Sequence, residues 1–387
     1  MRHCQLRIPV AAAMHRTADC RGCRRCCGRV ILLAAWIVGC AHAVGSPRQV
    51  IIDTDPGTDD AIAIVLALRS PELAVRALTI VAGNVTAAQG AENARRIVSL
   101  AQRCNVPVAA GARKPLVAKL TTGEVWHGRN GLADIQLPDP TCPLDRRWAP
   151  DLIIEMVHAA PHQITLITLG PLTNIALAEE KDPSIVPLVR QVIMMAGSAS
   201  GGNVTPAAEF NVYVDPEAAQ LVFNAGWPIT MVGLDVCRKT LLTSRQLPQL
   251  GEGRDPLAHL VFGIGEFLVA AAERRGAAGA AMYDPLAVGV AIDPTLIVAA
   301  PMRVDVETTG RLTRGETVAN REGTRELTEL RRFADGERYV FTGVSGTVVA
   351  NAAVATDVQA ERFLELLLTR IRSSHPPARS AKVGGTG

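Results

Sequence analysis

Val50-Ile51-Ile52-Asp53-Thr54-Asp55-Pro56-Gly57-Thr58-Asp59-Asp60-Ala61 reads as a short apolar strand that runs straight into a turn carrying four carboxylates. Ile62, Val65, Leu66 and Leu68 then share one helical face, so a helix begins at once. Four Asp within eight residues repel one another unless something positive sits among them. The carboxyl end of a strand is where open α/β sheets bind ligands. A hard divalent cation with oxygen ligands answers that charge best. Pro56 fixes φ, and Gly57 is expected to take the unusual backbone conformation that folds the carboxylates inward.

Two other readings compete. An Asp-rich turn also serves as a solvated loop with a helix N-cap. That suffices for one or two Asp, but four directly after an apolar strand favour a site. An EF-hand loop fits poorly: with Asp53 as position 1, position 6 is Thr58 rather than Gly and position 12 is Ile64 rather than Glu. A phosphatase nucleophile pair is the stronger rival, because Asp53 and Asp55 have the Asp-x-Asp spacing after a strand.

The 387 residues are 48% hydrophobic and 20% charged, a globular composition poor in aromatics, so Val, Ile, Leu and Ala must build the core. The net charge of +3 misleads. Residues 1–43 hold seven Arg against one Asp, which leaves −3 on the remainder. A slightly acidic body argues against a nucleic-acid partner.

The amino terminus reads as a targeting segment, residues 1–43. Arg21, Arg24, Arg25 and Arg29 precede the apolar run Val30 to Val38, and Ala41-His42-Ala43 supplies small residues for cleavage. Ile37-Val38-Gly39-Cys40 also resembles a lipobox, which would make Cys40 a lipid anchor. The apolar run is shorter than a transmembrane helix needs. The expected destination is therefore export, to a periplasm or the medium. Six of the nine Cys fall in the first forty residues, and the Cys20-x-x-Cys23-x-x-Cys26-Cys27 run belongs to the leader. Cys104, Cys142 and Cys237 are scattered; they give no disulfide framework and no catalytic thiol.

From Gln49 strand-like and helix-like stretches alternate. Strands are expected at 50–53, 75–81, 106–109, 164–169, 189–195 and 229–234, and helices at 59–69, 87–103, 172–180, 216–225 and 359–371. Further strands are expected within 303–318 and 326–355. This pattern predicts a single α/β domain over residues 49–372, with a mainly parallel sheet flanked by helices and a site at the carboxyl ends of the strands. The tail, 373–387, is rich in Pro, Ser and Gly and is expected to be disordered.

Polar residues recur at the strand ends: Asn84, Leu169-Gly170-Pro171-Leu172-Thr173-Asn174, Asn203, Glu209-Phe210-Asn211 and Tyr283-Asp284-Pro285. Each alone also reads as a turn residue or a helix cap. Their arrival at successive strand–helix junctions favours one shared site.

Asp53-Thr54-Asp55-Pro56-Gly57-Thr58-Asp59-Asp60-Ala61 resembles the signature of the inosine–uridine-preferring nucleoside hydrolases. The resemblance continues in order through Gly83-Asn84, His127-Gly128, Leu169 to Ala176, Met194 to Gly197, Ala208 to Asn211, Asp215 to Ala219 and Asp284-Pro285, from about Gln49 to Ile371. The phosphatase reading explains none of these later motifs.

The resemblance implies hydrolysis of the N-glycosidic bond of ribonucleosides to ribose and a free purine or pyrimidine base. It implies Ca²⁺ held by Asp55, Asp60, Asp284 and the carbonyl of Leu169, with Asp55 also the general base toward a water. Asp59, Asn84, Asn203, Glu209 and Asn211 are then the ribose-binding set, and Asp53 supports the site from behind. Many family members carry a His just before the last metal-binding Asp, which helps protonate the departing base. Here that position is Tyr283, whose phenol donates less readily. His127, after Trp126, matches another site His, although a His can also simply order a Gly-rich loop. Trp126, Phe267 and Arg274–Arg275 are candidates for the base pocket. A homodimer or homotetramer is expected by resemblance. The alternatives are a hydrolase of another N-riboside, of nicotinamide or cytokinin riboside type, and an exported nucleoside-binding protein without turnover.

Overall fold

Alternate residues of the first strand, β1 (Arg48–Thr54), divide the core between the two faces of a sheet. Val50 and Ile52 point into one apolar cluster and Ile51 into the other, all fully buried. A strand buried on both faces belongs at the centre of a parallel sheet. The chain was analysed as a computed structural model, which describes residues 46–251, 255–320, 326–332, 339–345 and 349–373. The expected leader, 1–43, and the tail beyond Ser373 lie outside the described residues.

The other strands are β2 (Leu73–Ile80), β3 (Val108–Ala110), β4 (Leu144–Asp145), β5 (Ile164–Thr168), β6 (Gln191–Met195), β7 (Ile229–Val232), β8 (Leu241–Leu242), β9 (Ala280–Ala281), β10 (Ile297–Val306), β11 (Thr317–Asn320), β12 (Glu326–Arg332), β13 (Tyr339–Ser345) and β14 (Ala352–Val358). Ten of them form one sheet in the order β11-β10-β14-β7-β6-β5-β1-β2-β3-β4. Every pairing from β14 through β4 is parallel, and β10 closes the far side antiparallel to both β14 and β11. β12 with β13, and β8 with β9, form separate antiparallel pairs.

The helices are α1 (Thr58–Arg69), α2 (Ala87–Leu100), α3 (Glu124–His127), α4 (Ala149–Ala159), α5 (Thr173–Lys181), α6 (Phe210–Val214), α7 (Pro216–Asn224), α8 (Leu234–Cys237), α9 (Leu247–Gly251), α10 (Pro256–Arg274), α11 (Tyr283–Ile292) and α12 (Ala360–Arg372). The cluster around Val50 and Ile52 includes α1, α2, α10, α11 and α12, and the opposite one includes α4, α5 and α7. α1 is buried from Thr58 to Ala67, as expected of a helix apolar all round and enclosed by others. α4, α10 and α11 escape the strand–helix alternation of the sequence. In α10 the run Leu-Val-Phe-Gly-Ile-Gly is too uniformly apolar to show a period.

The strand order places the site. The chain runs outward from β1 through β2, β3 and β4, then returns to β5 on the other side of β1 and proceeds to β6 and β7. The direction reverses between β1 and β5, and such a switch point opens a crevice at the strands' carboxyl ends. β1 delivers Asp53 and Asp55 there, and β5 delivers Leu169, whose N–H donates to the carbonyl of Asp53 at 2.7 Å.

The structure corrects the reading of the body cysteines. Cys104 and Cys142 form a disulfide, with 5.0 Å between Cα atoms across a 38-residue separation. Tertiary contacts that spacing does not reveal bring the two together. Ser99 Oγ, near the end of α2, accepts the N–H groups of Thr141 and Cys142 at 3.0 Å each, and Arg95 Nε donates to the Cys142 carbonyl at 2.9 Å. Cys237 is buried and free. The double variant Cys104→Ser/Cys142→Ser is expected to lose about 2–4 kcal/mol of stability in urea unfolding, since the bridge restricts the unfolded chain. Equal midpoints under oxidising conditions would contradict this.

Candidate active site

The turn after β1 is built by its neighbours as much as by itself. Asn93, buried on α2, donates from Nδ2 to the carbonyls of Pro56 (2.9 Å) and Asn130 (2.8 Å). Asp60, in the first turn of α1, accepts the Gly57 N–H at 2.9 Å, and acids are favoured at a helix amino terminus. Gly57 departs from expectation: its φ of −92° is ordinary. What requires glycine there is room, because a Cβ would stand 2.8 Å from both Asn84 Nδ2 and His127 Nδ1.

Asp55 is clamped. Its Oδ2 accepts the Asn84 N–H at 2.6 Å. Gly83 and Gly170 press against the carboxylate so closely that added Cβ atoms would come within 2.0 Å of Oδ2 and 2.7 Å of Oδ1. Oδ1 is buried without a hydrogen-bond partner. Asp53 sits behind: its Oδ1 accepts from Thr79 Oγ1 (2.6 Å) and Asn174 Nδ2 (2.8 Å), and Asn174 Oδ1 accepts the Ala112 N–H at 2.8 Å. Asn174 thus braces Asp53 rather than capping α5. Asp60 accepts from Thr54 Oγ1, Gly57 N–H and Asn84 Nδ2.

One carboxylate oxygen each from Asp59, Asp60 and Asp284 lie within 4.8 Å of one another, all three residues buried. Asp55 stands outside this trio, although its charge acts on Asp284. Burial pushes the Asp59 carboxyl up to about 6 and Asp53 up to about 7. Burial, then the charge of Asp60, pushes Asp55 well above the usual range. Burial and the charges of Asp59, Asp60 and Asp55 do the same to Asp284. Among the described residues no Lys or Arg pairs with any of these five carboxylates. Hard oxygen donors, buried, with Asp55 Oδ1 and Asp59 Oδ1 unpartnered, fit a divalent cation of the Ca²⁺ or Mg²⁺ kind.

Above the carboxylates lies a cavity of about 300 Å³. Asp59, Asn84, His127, Leu169, Asn203, Glu209, Asn211, Tyr283 and Asp284 all line it, so nine of the residues singled out in the sequence meet there. Asp53, Asp55 and Asp60 are packed beneath and do not line it. Glu209 caps α6: its carboxylate accepts the N–H groups of Gly197, Asn211 and Val212, and burial pushes it up to about 7. Asn211 Nδ2 donates to the carbonyls of Leu169 (2.9 Å) and Met195 (3.0 Å), which leaves its amide oxygen for a ligand. Asn203, exposed at the rim, accepts the Phe210 N–H at 3.0 Å.

His127 lies 3.7 Å from Asp59, an ion-pair distance only if the ring is protonated. The Thr58 N–H donates to His127 Nδ1 at 3.1 Å, so that nitrogen is an acceptor. Burial lowers the imidazole to about 4, and both observations make the ring neutral with its proton on Nε2. Burial pushes the Tyr283 phenol up to about 12, with Asp59 adding to the effect.

Apart from Arg275, the remaining wall is mainly apolar, with Trp126, Val204, Phe210, Leu268, Ala271 and Met195. Of the proposed base-pocket residues, Trp126 and Arg275 line the cavity, whereas Phe267 and Arg274 do not. Leu268, Ala271 and Arg275 follow one another at helical spacing along α10 and its cap, and a neighbour one position away points about 100° aside. Sequence reasoning gave no role to Thr54, although it lies within the signature, and missed Thr79 and Asn93, which carry no motif and act only through strand neighbours and loops.

The comparisons agree with this geometry. The family model described as inosine-uridine preferring nucleoside hydrolase matches residues 50–365. The chain is 42% identical over 277 residues to the inosine-uridine preferring nucleoside hydrolase of Crithidia fasciculata, covering 71% of this chain and 88% of that one. It is 36% identical over 324 residues to the pyrimidine-specific ribonucleoside hydrolase RihA of Enterobacter sp. strain 638, covering 83% and 97%. Among solved structures, the plant nucleoside hydrolase PpNRh1 superposes with a TM-score of 0.76 at 34% identity, covering 84% of this chain and 99% of that one. The purine-preferring ribonucleoside hydrolase from Gardnerella vaginalis gives 0.74 at 32%, covering 84% and 98%.

Asn174→Ala removes one of the two donors to Asp53 Oδ1 and strands the Ala112 N–H. The expected cost is about 1–3 kcal/mol in urea unfolding, and an unchanged midpoint would contradict it.

Proposed function

The chain belongs to the inosine-uridine preferring nucleoside hydrolase family, and we propose that it splits ribonucleosides by a cation-assisted attack of water, with Asp55 as the general base. The observation that carries the proposal is the Asp55 carboxylate, held by the Asn84 N–H and two glycines with Oδ1 left free. A base needs one fixed, unpartnered oxygen.

The proposed cation is Ca²⁺, which Asp55, Asp60, Asp284 and the Leu169 carbonyl would hold, with Asp59 beside them. Such an ion lowers the pKa of water and ligates hydroxyl groups. Asp55 Oδ1 takes the proton of the attacking water. Asp59 Oδ1, buried and unpartnered on the cavity floor, accepts a ribose hydroxyl. Asn84, the amide oxygen of Asn211, Glu209 and the Asn203 amide complete the grip on the sugar. The carboxylates also favour the positive charge that develops on the ribosyl ring as the N-glycosidic bond breaks. The departing base lies against Trp126, Phe210 and Tyr283. Tyr283 donates a hydrogen bond as a neutral phenol, and His127 donates from Nε2–H. The base leaves toward the mouth and ribose follows.

We propose that the protein is exported, a reading that the Cys104–Cys142 disulfide supports, because such bridges persist in oxidising compartments. A homodimer or homotetramer is proposed from the family resemblance alone.

Ribose release from inosine and uridine tests the reading in protein lacking residues 1–43. Asp55→Asn is expected to reduce kcat by about 10²- to 10⁴-fold while the protein still folds. Full activity in that variant would remove Asp55 from the role. The corresponding 2′-deoxynucleosides are expected to react at least about 10²-fold more slowly, because the hydroxyl partners are left unpaired. Equal rates would contradict the assignment of the sugar site.

A further inference from the structure

Among the described residues, Arg275 is the single lining residue with a permanent positive charge, in a cavity whose floor is carboxylate. It follows the last residue of α10 and is exposed at the mouth. Its guanidinium lies over the Trp126 ring, 4.7 Å from the centroid, and Trp126 is itself 51% exposed. Among the described residues no carboxylate or other acceptor engages the guanidinium. Arg275 and Trp126 come from opposite elements, α10 and α3, so the pair bridges the mouth.

Neither other polar group beside the base supplies a proton readily. Thr58 holds His127 as an acceptor at Nδ1, and the Tyr283 phenol is an uncharged donor. Bond cleavage nevertheless sends an electron pair onto the base. When the C–N bond breaks, the pair leaves with the ring nitrogen and delocalises onto an exocyclic oxygen where there is one. Water supplies oxygen to the sugar carbon and its proton goes to Asp55. The base is protonated after departure, so the step balances without an acid on the enzyme.

We propose that Arg275 is a catalytic residue that stabilises the negative charge developing on the departing base. This rests on the hydrolase reading and adds how the leaving group is activated. Arg275 acts by charge and hydrogen bonding, since a guanidinium does not give up its proton. Trp126 holds the guanidinium plane by cation–π contact and leaves its N–H edge free. Bases that place charge on an exocyclic oxygen, as in inosine and uridine, gain most. Adenosine has no exocyclic oxygen and gains least, and cytidine, with an amino group in place of O4 but its O2 retained, gains less than uridine.

The test is steady-state kinetics on the matched pairs inosine/adenosine and uridine/cytidine, for the wild type, Arg275→Gln and Arg275→Lys. The charge appears only in the transition state, so the Gln variant should lose about tenfold in kcat on inosine and uridine, with a smaller change in KM. The loss on adenosine and cytidine should be smaller, and Lys should recover most of kcat. Arg275 is exposed, and thermal melting should confirm that both variants fold. An unchanged kcat in the Gln variant, a loss confined to KM, or a Lys variant as slow as Gln overturns the proposal. Wild-type protein that releases ribose from none of the four overturns the hydrolase reading itself, and this inference with it.

Discussion

Five aspartates, Asp53, Asp55, Asp59, Asp60 and Asp284, are buried together at the carboxyl edge of a parallel sheet, and no Lys or Arg among the described residues balances them. Burying even one unpaired carboxylate is costly, and each neighbour adds to the cost. Two devices reduce it within the chain. Backbone and side-chain donors from Asn84, Gly57, Thr54, Thr79 and Asn174 point at the carboxylates. The first turn of α1 also offers its amide dipoles to Asp59 and Asp60. These donors supply no counter-charge, and oxygens of Asp53, Asp55 and Asp59 remain without a partner, so a hard cation is the group that fits the set.

The fold is arranged to keep the cluster rigid. β1 is central, its two faces packed by separate apolar clusters, so Asp53 and Asp55 cannot shift without disturbing both. Gly83 and Gly170 let the loops after β2 and β5 close on Asp55, and Gly57 admits the Asn84 and His127 side chains. Floor and mouth then divide the chemistry. The carboxylates at the floor are buried, while Trp126, Phe210, Tyr283 and Arg275 line the cavity nearer to solvent. Tyr283 and Arg275 are the polar side chains at that end.

Much of this was legible in the sequence because the decisive residues are adjacent to strands. The run Val50-Ile51-Ile52 followed by four Asp gave both the central strand and the acidic turn, and Asn84, Leu169 and Asp284 recur at strand or helix ends that parallel topology must bring together. Other features depend on distances that spacing does not encode. The Cys104–Cys142 bridge needed the loop over α2. The Asn93 and Asn174 braces act on backbone carbonyls and amides far along the chain. Which of Phe267, Leu268, Arg274 and Arg275 faced the cavity depended on the phase of α10, which its uniformly apolar sequence conceals. Gly57 is needed for the space it leaves rather than for the unusual backbone angles expected of it.

If the buried carboxylates hold a cation, the stability of the folded state depends on it. Thermal melting of the wild type and Asp284→Asn across a calcium titration tests it most directly. A ligand that binds only the folded state raises the melting temperature with concentration. The account predicts such a rise for the wild type and little or none for Asp284→Asn. A wild-type melting temperature that does not respond to calcium, magnesium or manganese would contradict it.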